Sequence, residues 1–136
     1  MSLNFQPKTR NVVMCNFSGF VEPEMIKVRP VVIIARNRHN NRLVTVVPLS
    51  TTKPVPERDY HHLLSVNPLP DKANVLCWAK CDMVSTVSIK RLDRYKVRSA
   101  RGREYVMPII NEEDFELIRK CVLAGIGVKH VYCNVK

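Results

Sequence analysis

Two hydrophobic periods divide this chain. Before about residue 110 the apolar positions come in short runs rich in Val and Ile; beyond it they recur at helical spacing. The runs NVVMCNF (11–17), RPVVIIARN (29–37) and LVTVVPLS (43–50) predict strands, because β-branched side chains suit a pleated surface. NRHNNR (37–42) is polar throughout and predicts the turn of a hairpin between the last two. PVPERDYHHLLSV (54–66) opens on prolines that cannot donate to a ladder, so a loop leading to an edge strand near 60–66 is expected. NPLPDKAN (67–74) reads as a turn. CWAKCDMVSTVSI (77–89) reads as one strand, with Ala79, Cys81, Met83, Val87 and Ile89 on one face, interrupted by Ser85. Trp78, Lys80, Asp82, Val84, Thr86 and Ser88 would share the other, placing an ammonium, a carboxylate and hydroxyls in a row. In RLDRYKVRSARGREYVMPI (91–109), Gly102 is placed for a turn between two short extended pieces.

From Asn111 the pattern changes. NEEDFELIRKCVLAGIG offers an Asn N-cap, an acidic first turn, Phe115, Ile118, Cys121 and Val122 on one face, and Gly127 as C-cap. A helix packed on the sheet is predicted, followed by a closing strand or tail at 128–135. These elements predict a mainly β (α+β) fold, a small, partly open barrel of SH3-like type with a C-terminal helix. A chain of 136 residues fits a single domain, with residues 1–10 expected as a flexible N-terminal extension.

Charge sharpens the picture. Lys and Arg number 22 against 12 Asp and Glu, a net charge of +10, and a positive field of that size steers polyanions. A basic solubility surface or an acidic protein partner would use the same charge. No apolar run approaches the roughly 20 residues of a membrane span, and MSLNFQPKTR lacks a secretory apolar stretch, so no membrane association and a cytoplasmic location are expected. The five cysteines lie mostly in apolar surroundings, which suits reduced buried thiols. Cys77 and Cys81 lack a second pair at zinc spacing, so neither metal nor another cofactor is expected.

Candidate chemistry gathers at strand ends. Pro30 restricts the backbone around Arg29, which would sit rigidly at the mouth of a strand, although a surface arginine in an ordinary loop fits the same text. Ser50, Thr51 and Thr52 place three hydroxyls at a strand exit, suited to holding a phosphate or capping a turn. Lys80 and Asp82 would lie about 7 Å apart on one strand face, near enough to serve one phosphate or to pair with each other. Lys96, Arg98, Arg101 and Arg103 beside Tyr95 and Tyr105 interleave cations with aromatics, either a surface that tracks a nucleic-acid backbone or a solvated hairpin. Adjacent His61 and His62 would face opposite ways in a strand and make a poor chelate.

With those residues in place the chain resembles the PemK/MazF family of toxins from bacterial toxin-antitoxin systems. The resemblance runs from about Asn11 to Leu123 and rests, in order, on Glu24 with KVRPVVII (27–34), VVPLSTT (46–52), KCD (80–82) with TV (86–87), and RL (91–92). It implies an SH3-like barrel, a homodimer, metal-independent cleavage of single-stranded RNA, an acidic antitoxin partner and DNA binding in complex with that antitoxin. Arg29 matches the family's arginine before proline, and Ser50, Thr51 and Thr52 its phosphate-side hydroxyls. Asp82 matches an aspartate proposed as general base in some members, Lys80 stands where those carry an arginine proposed as acid, and Glu24 matches a glutamate implicated in others. The chain departs from the pattern at Met83, Ser85 and Ser88, where glutamine, a basic and an acidic residue are usual.

RNA cleavage by attack of the 2′-hydroxyl needs a proton acceptor, a cationic clamp on phosphate and a donor at the 5′-oxygen. Asp82 or its rival Glu24 would accept, Arg29 would stabilise the phosphorane and Lys80 would donate, with Ser50, Thr51, Thr52 and Thr86 and the cations of 96–103 contacting substrate. Two other classes fit the same chain: a non-enzymatic toxin that binds DNA gyrase or another protein, and a plain nucleic-acid-binding barrel.

Overall fold

A computed structural model describes residues 2–128 of the chain. The strands are β1 (Val12–Asn16), β2 (Val28–Arg36), β3 (Leu43–Ser50), β4 (His61–Leu63), β5 (Trp78–Lys80), β6 (Ser85–Ser88), β7 (Leu92–Asp93), β8 (Tyr95–Ser99) and β9 (Gly102–Val106); the helix is α1 (Glu112–Gly125). The main sheet is antiparallel in the order β4-β5-β3-β2-β1-β7, with β6 also pairing β3 and β8-β9 forming a separate ribbon. Its outer strands β4 and β7 do not pair, so the sheet is open. The predicted β2-β3 hairpin, short edge strand β4 and Gly102 turn are present. The closing strand or tail expected at 128–135 lies almost wholly outside the described residues.

The three apolar runs at the start are continuous because both faces of β1, β2 and β3 are buried. Val12, Val32, Val47 and Leu49 join one cluster, on which α1 packs Phe115, Ile118, Cys121 and Val122. Val13, Cys15, Phe17, Val31, Ile33, Val44 and Val46 join the other, completed by Leu3, Val87, Ile89 and Leu92. Within residues 1–10, where a flexible extension is expected, Leu3 is 3% exposed and its amide donates to Leu92 O at 2.8 Å. Gln6 Nε2 adds a bond to Leu43 O at 2.9 Å. Burial of Leu3 and these two bonds outweigh the chain entropy that composition alone would favour.

The largest departure from the sequence reading is at 77–89. This stretch is not one strand but two, β5 and β6, separated by a 3-10 turn at Cys81–Met83. Between its pairings with the two, β3 advances from Val46 to Leu49, while the partner strand runs back from Ser85 to Ala79. Three residues therefore have no place in the ladder. An odd insertion reverses which side chains face which side of the sheet, so the expected single row of Trp78, Lys80, Asp82 and Thr86 does not exist.

Asn111 caps α1 as the sequence predicts, its side chain accepting the Asp114 amide at 2.7 Å. At the other end Val128 N bonds Leu123 O and Gly127 N bonds Ala124 O, with Gly127 at φ +90°, a Schellman closure. Asp114, in the acidic first turn, is buried and ties the helix to the loop after β4. It accepts from Ser65 Oγ at 2.7 Å and from the Ser65 amide, and meets His62 Nε2 at 2.9 Å. Burial pushes this carboxyl up, but the bonds from Ser65 and His62 outweigh it and hold Asp114 below the usual value. Its stabilising contribution is then complete above the unfolded carboxylate value of about 3.9 and is lost as pH falls through the lower folded value. Asp114→Ala is expected to lower the unfolding free energy by about 1–3 kcal/mol at pH 7, by removing the charge-assisted bonds from Ser65 and His62. The deficit should shrink toward pH 3 in urea titrations; a deficit that stays constant with pH would contradict the ionised role.

Candidate active site

The face of the sheet that carries Val13, Val31, Ile33, Val44 and Val46 runs out of apolar residues at one end. β1 pairs Cys15 with Arg29, and β2 pairs Val31 with Pro48. Two residues further along this register Arg29 comes opposite Ser50 on the same face, and Ser50 in turn pairs with Trp78 of β5. Lys80, two residues beyond Trp78, points the same way and is paired across β4 with His61. Arg29, Ser50, Trp78 and Lys80 therefore share one end of one face, each positioned by a strand that also carries buried core residues. Arg29 stands apart from the others in the sequence; the β2-β3 pairing is what joins them.

Polar bonding at this end is incomplete. Among the described residues Arg29 Nε and Trp78 Nε1 are buried without a hydrogen-bond partner, and Ser50 Oγ accepts the Thr52 amide at 3.1 Å, leaving its hydroxyl proton available. Thr51 and Thr52 lie on the exposed turn that follows.

A cleft of about 320 Å³ opens beside this end of the sheet. It is lined by Phe20, Glu24 and Met25 on the loop before β2 and by Asp82, Met83 and Ser85 around the 3-10 turn. Phe20 and Met25 pack on the same apolar cluster that ends in Arg29 and Ser50, so cleft and row belong to one side of the sheet. The two carboxylates considered for proton transfer thus share a cleft. Asp82 is exposed at the tip of the inserted turn, whereas Glu24 Oε1 accepts the Val21 amide at 2.6 Å and holds its own loop. Behind the turn, α1 comes so close that a Cβ on Gly125 would sit 2.9 Å from Asp82 Cα. The helix end fixes the height of Asp82, and only glycine permits that contact.

Thr86 is not part of this site. It stands opposite Thr45 with its hydroxyl 2.9 Å from Thr45 Oγ1, on the other face of the sheet. The basic hairpin is separate as well. Lys96 pairs with Tyr105 and Arg98 with Arg103 across β8-β9, while Arg101 is in the turn. Lys96 and Tyr105 line a groove of about 1200 Å³ with Lys90, Arg91 and Arg94. Tyr95 borders the same groove but is largely buried and donates its hydroxyl to Asp71 at 2.7 Å; burial and that bond push its phenol up to about 12. Burial likewise raises the Cys15 and Cys77 thiols to about 12 and Cys81 further, so these thiols pack and are not poised as nucleophiles. The four described cysteines are free, and no described helix is long and apolar enough to cross a membrane.

Sequence reasoning missed Trp78. Its place in the row depends on the register of β3 with β5, which no local pattern encodes.

This fold has counterparts in known proteins. The chain belongs to the PemK-like, MazF-like toxins of type II toxin-antitoxin systems, whose family profile matches residues 8–123. An uncharacterized protein of Escherichia coli (strain K12), YifN, is 31% identical to it over 148 aligned positions, covering 93% of this chain and 96% of the relative. Among solved structures, a MazF from Deinococcus radiodurans superposes with TM-score 0.65 at 13% identity, over 91% of this chain and 99% of that one. An endoribonuclease in complex with its cognate antitoxin, from a mycobacterial species, superposes with TM-score 0.62 at 18% identity, over 92% and 99%. At these identities the structural likeness speaks for the fold.

Proposed function

We propose that this toxin is a metal-independent endoribonuclease that cleaves single-stranded RNA by attack of a 2′-hydroxyl on the adjacent phosphorus. The observation that supports this best is the end of the sheet itself, where half-buried Arg29 and Lys80 and buried Ser50 share a face beside a cleft holding Asp82 and Glu24. In this reading the Arg29 guanidinium carries the charge that develops on the phosphorane, and Ser50, Thr51 and Thr52 orient the phosphate. Asp82 takes the 2′-hydroxyl proton, with Glu24 its rival in the same cleft, and Lys80 delivers a proton to the departing 5′-oxygen. Outside the cleft, Lys96, Arg98, Arg101 and Arg103 track the strand, and Tyr105 offers a base a stacking surface. The toxin acts in the cytoplasm as a homodimer, in which two short grooves make one longer site. An acidic antitoxin segment covers the basic surface.

Incubating purified protein with a single-stranded oligoribonucleotide in excess chelator tests the reading. Cleavage is the expected result. Inhibition of DNA gyrase with intact RNA would transfer the protein to the non-enzymatic class, and RNA binding without either would leave a plain binding barrel.

The basic hairpin gives a second test. Replacing Lys96 and Arg103 by Gln should weaken binding of RNA of any sequence, and should flatten the salt dependence by about 0.7 in log K per log salt for each phosphate the hairpin no longer neutralises. An unchanged slope would remove the hairpin from the RNA path.

A further inference from the structure

The chain's single tryptophan has an unexplained position. Trp78 is 4% exposed, yet among the described residues it joins neither of the two apolar clusters, and its indole Nε1–H has no acceptor there. An indole carries one donor and no acceptor, and a buried donor left unpaired is unfavourable by about 1–3 kcal/mol. Trp78 stands opposite Ser50 on β3, and Arg29, whose Nε is also buried and unpaired, lies opposite Ser50 on the other side when the β2-β3 register is continued. Three donors therefore sit in one row across three neighbouring strands, roughly 4.8 Å apart at the backbone: Arg29 Nε–H, Ser50 Oγ–H and Trp78 Nε1–H. Ser50 Oγ accepts the Thr52 amide with one of its two lone pairs, and its O–H remains free to donate.

A row in which three donors are free, two of them on groups that cannot accept, is complementary to a group rich in acceptors. A base edge offers at most two adjacent acceptors, as guanine O6 and N7 do, so it would leave at least one of the three donors unmet. The non-bridging and ester oxygens of a phosphodiester accept only. We propose that the Trp78 indole N–H donates to a non-bridging oxygen of the same phosphodiester held by Arg29 and Ser50, making Trp78 a substrate-binding residue of the RNA site. This rests on the ribonuclease reading above. The buried, unpaired donors are then a preorganised site, in which desolvation has already occurred before RNA arrives.

The indole gives a direct readout, because a chain with one tryptophan has one indole N–H resonance. Wild-type protein labelled with ¹⁵N is titrated with a 2′-O-methyl oligoribonucleotide, which binds but cannot react, while binding is followed in parallel by fluorescence anisotropy. The indole proton is expected to shift downfield and saturate together with the anisotropy. Trp78→Phe, which keeps an aromatic ring and removes the donor, is expected to bind the same oligonucleotide about 10- to 100-fold more weakly. If wild type binds and cleaves RNA while the indole resonance stays still and Trp78→Phe binds normally, the inference is wrong and the ribonuclease reading stands. If wild type neither binds nor cleaves RNA, the ribonuclease reading fails and the inference falls with it. Should Trp78→Phe not fold, the wild-type titration decides alone.

Discussion

Arg29→Ala is expected to reduce RNA cleavage by about 100- to 1,000-fold while leaving the melting temperature unchanged or slightly raised. The loss follows from removing the positive group that the β2-β3 register sets opposite Ser50, since one preorganised donor on a developing oxyanion commonly contributes that much to rate. The stability expectation comes from the same observation read the other way. Arg29 Nε is buried without a partner, so the folded protein gains nothing from that group and loses its hydration. A side chain that is unfavourable for folding and favourable for chemistry is the signature of a functional position. Arg29→Lys separates charge from geometry: the ammonium keeps the charge but lacks the Nε donor and the planar fork, so only partial activity should return. Single-turnover cleavage and thermal melts on the three proteins decide it. Full activity in Arg29→Ala would place the phosphate elsewhere. A large fall in melting temperature would make Arg29 a structural residue.

Most of the architecture was legible because it is local. β-branched runs, a polar hexapeptide between two of them, prolines ahead of the edge strand, Gly102 in its turn and the Asn111 cap each act through neighbouring residues. What failed is long-range. The 77–89 stretch alternates well enough to suggest one strand, and nothing in its text reveals that β3 would leave Cys81–Met83 out of the ladder. That single insertion moved Thr86 to the far face, lifted Asp82 to the mouth of a cleft and left Trp78 in line with Ser50. The partners of Asp114 are long-range as well: the loop after β4 folds over it and supplies Ser65 and His62. Glu24 and Asp82, 58 residues apart in sequence, meet only because the loop before β2 covers the same apolar cluster that the inserted turn borders.

The products of cleavage carry the other large effect. If the ribose 2′-hydroxyl is the nucleophile, a strand of identical sequence built from deoxyribose should be left intact, because the attacking atom is missing, and one 2′-deoxy substitution at the scissile position of an RNA should abolish cutting there. The upstream fragment should end in a 2′,3′-cyclic phosphate, or the monophosphate formed when it opens, and the downstream fragment in a 5′-hydroxyl. The same mechanism asks no metal to activate water, so chelator should not slow the reaction. Each consequence follows from one proton leaving the 2′-oxygen for Asp82 or Glu24, phosphorus–oxygen bond formation against the charge of Arg29, and departure of the 5′-oxygen with a proton from Lys80. Mass spectrometry of a short oligonucleotide digest reads the ends directly. A 5′-phosphate beside a free 3′-hydroxyl would show that water attacked, and the roles proposed for Asp82, Glu24, Arg29 and Lys80 would have to be given up together.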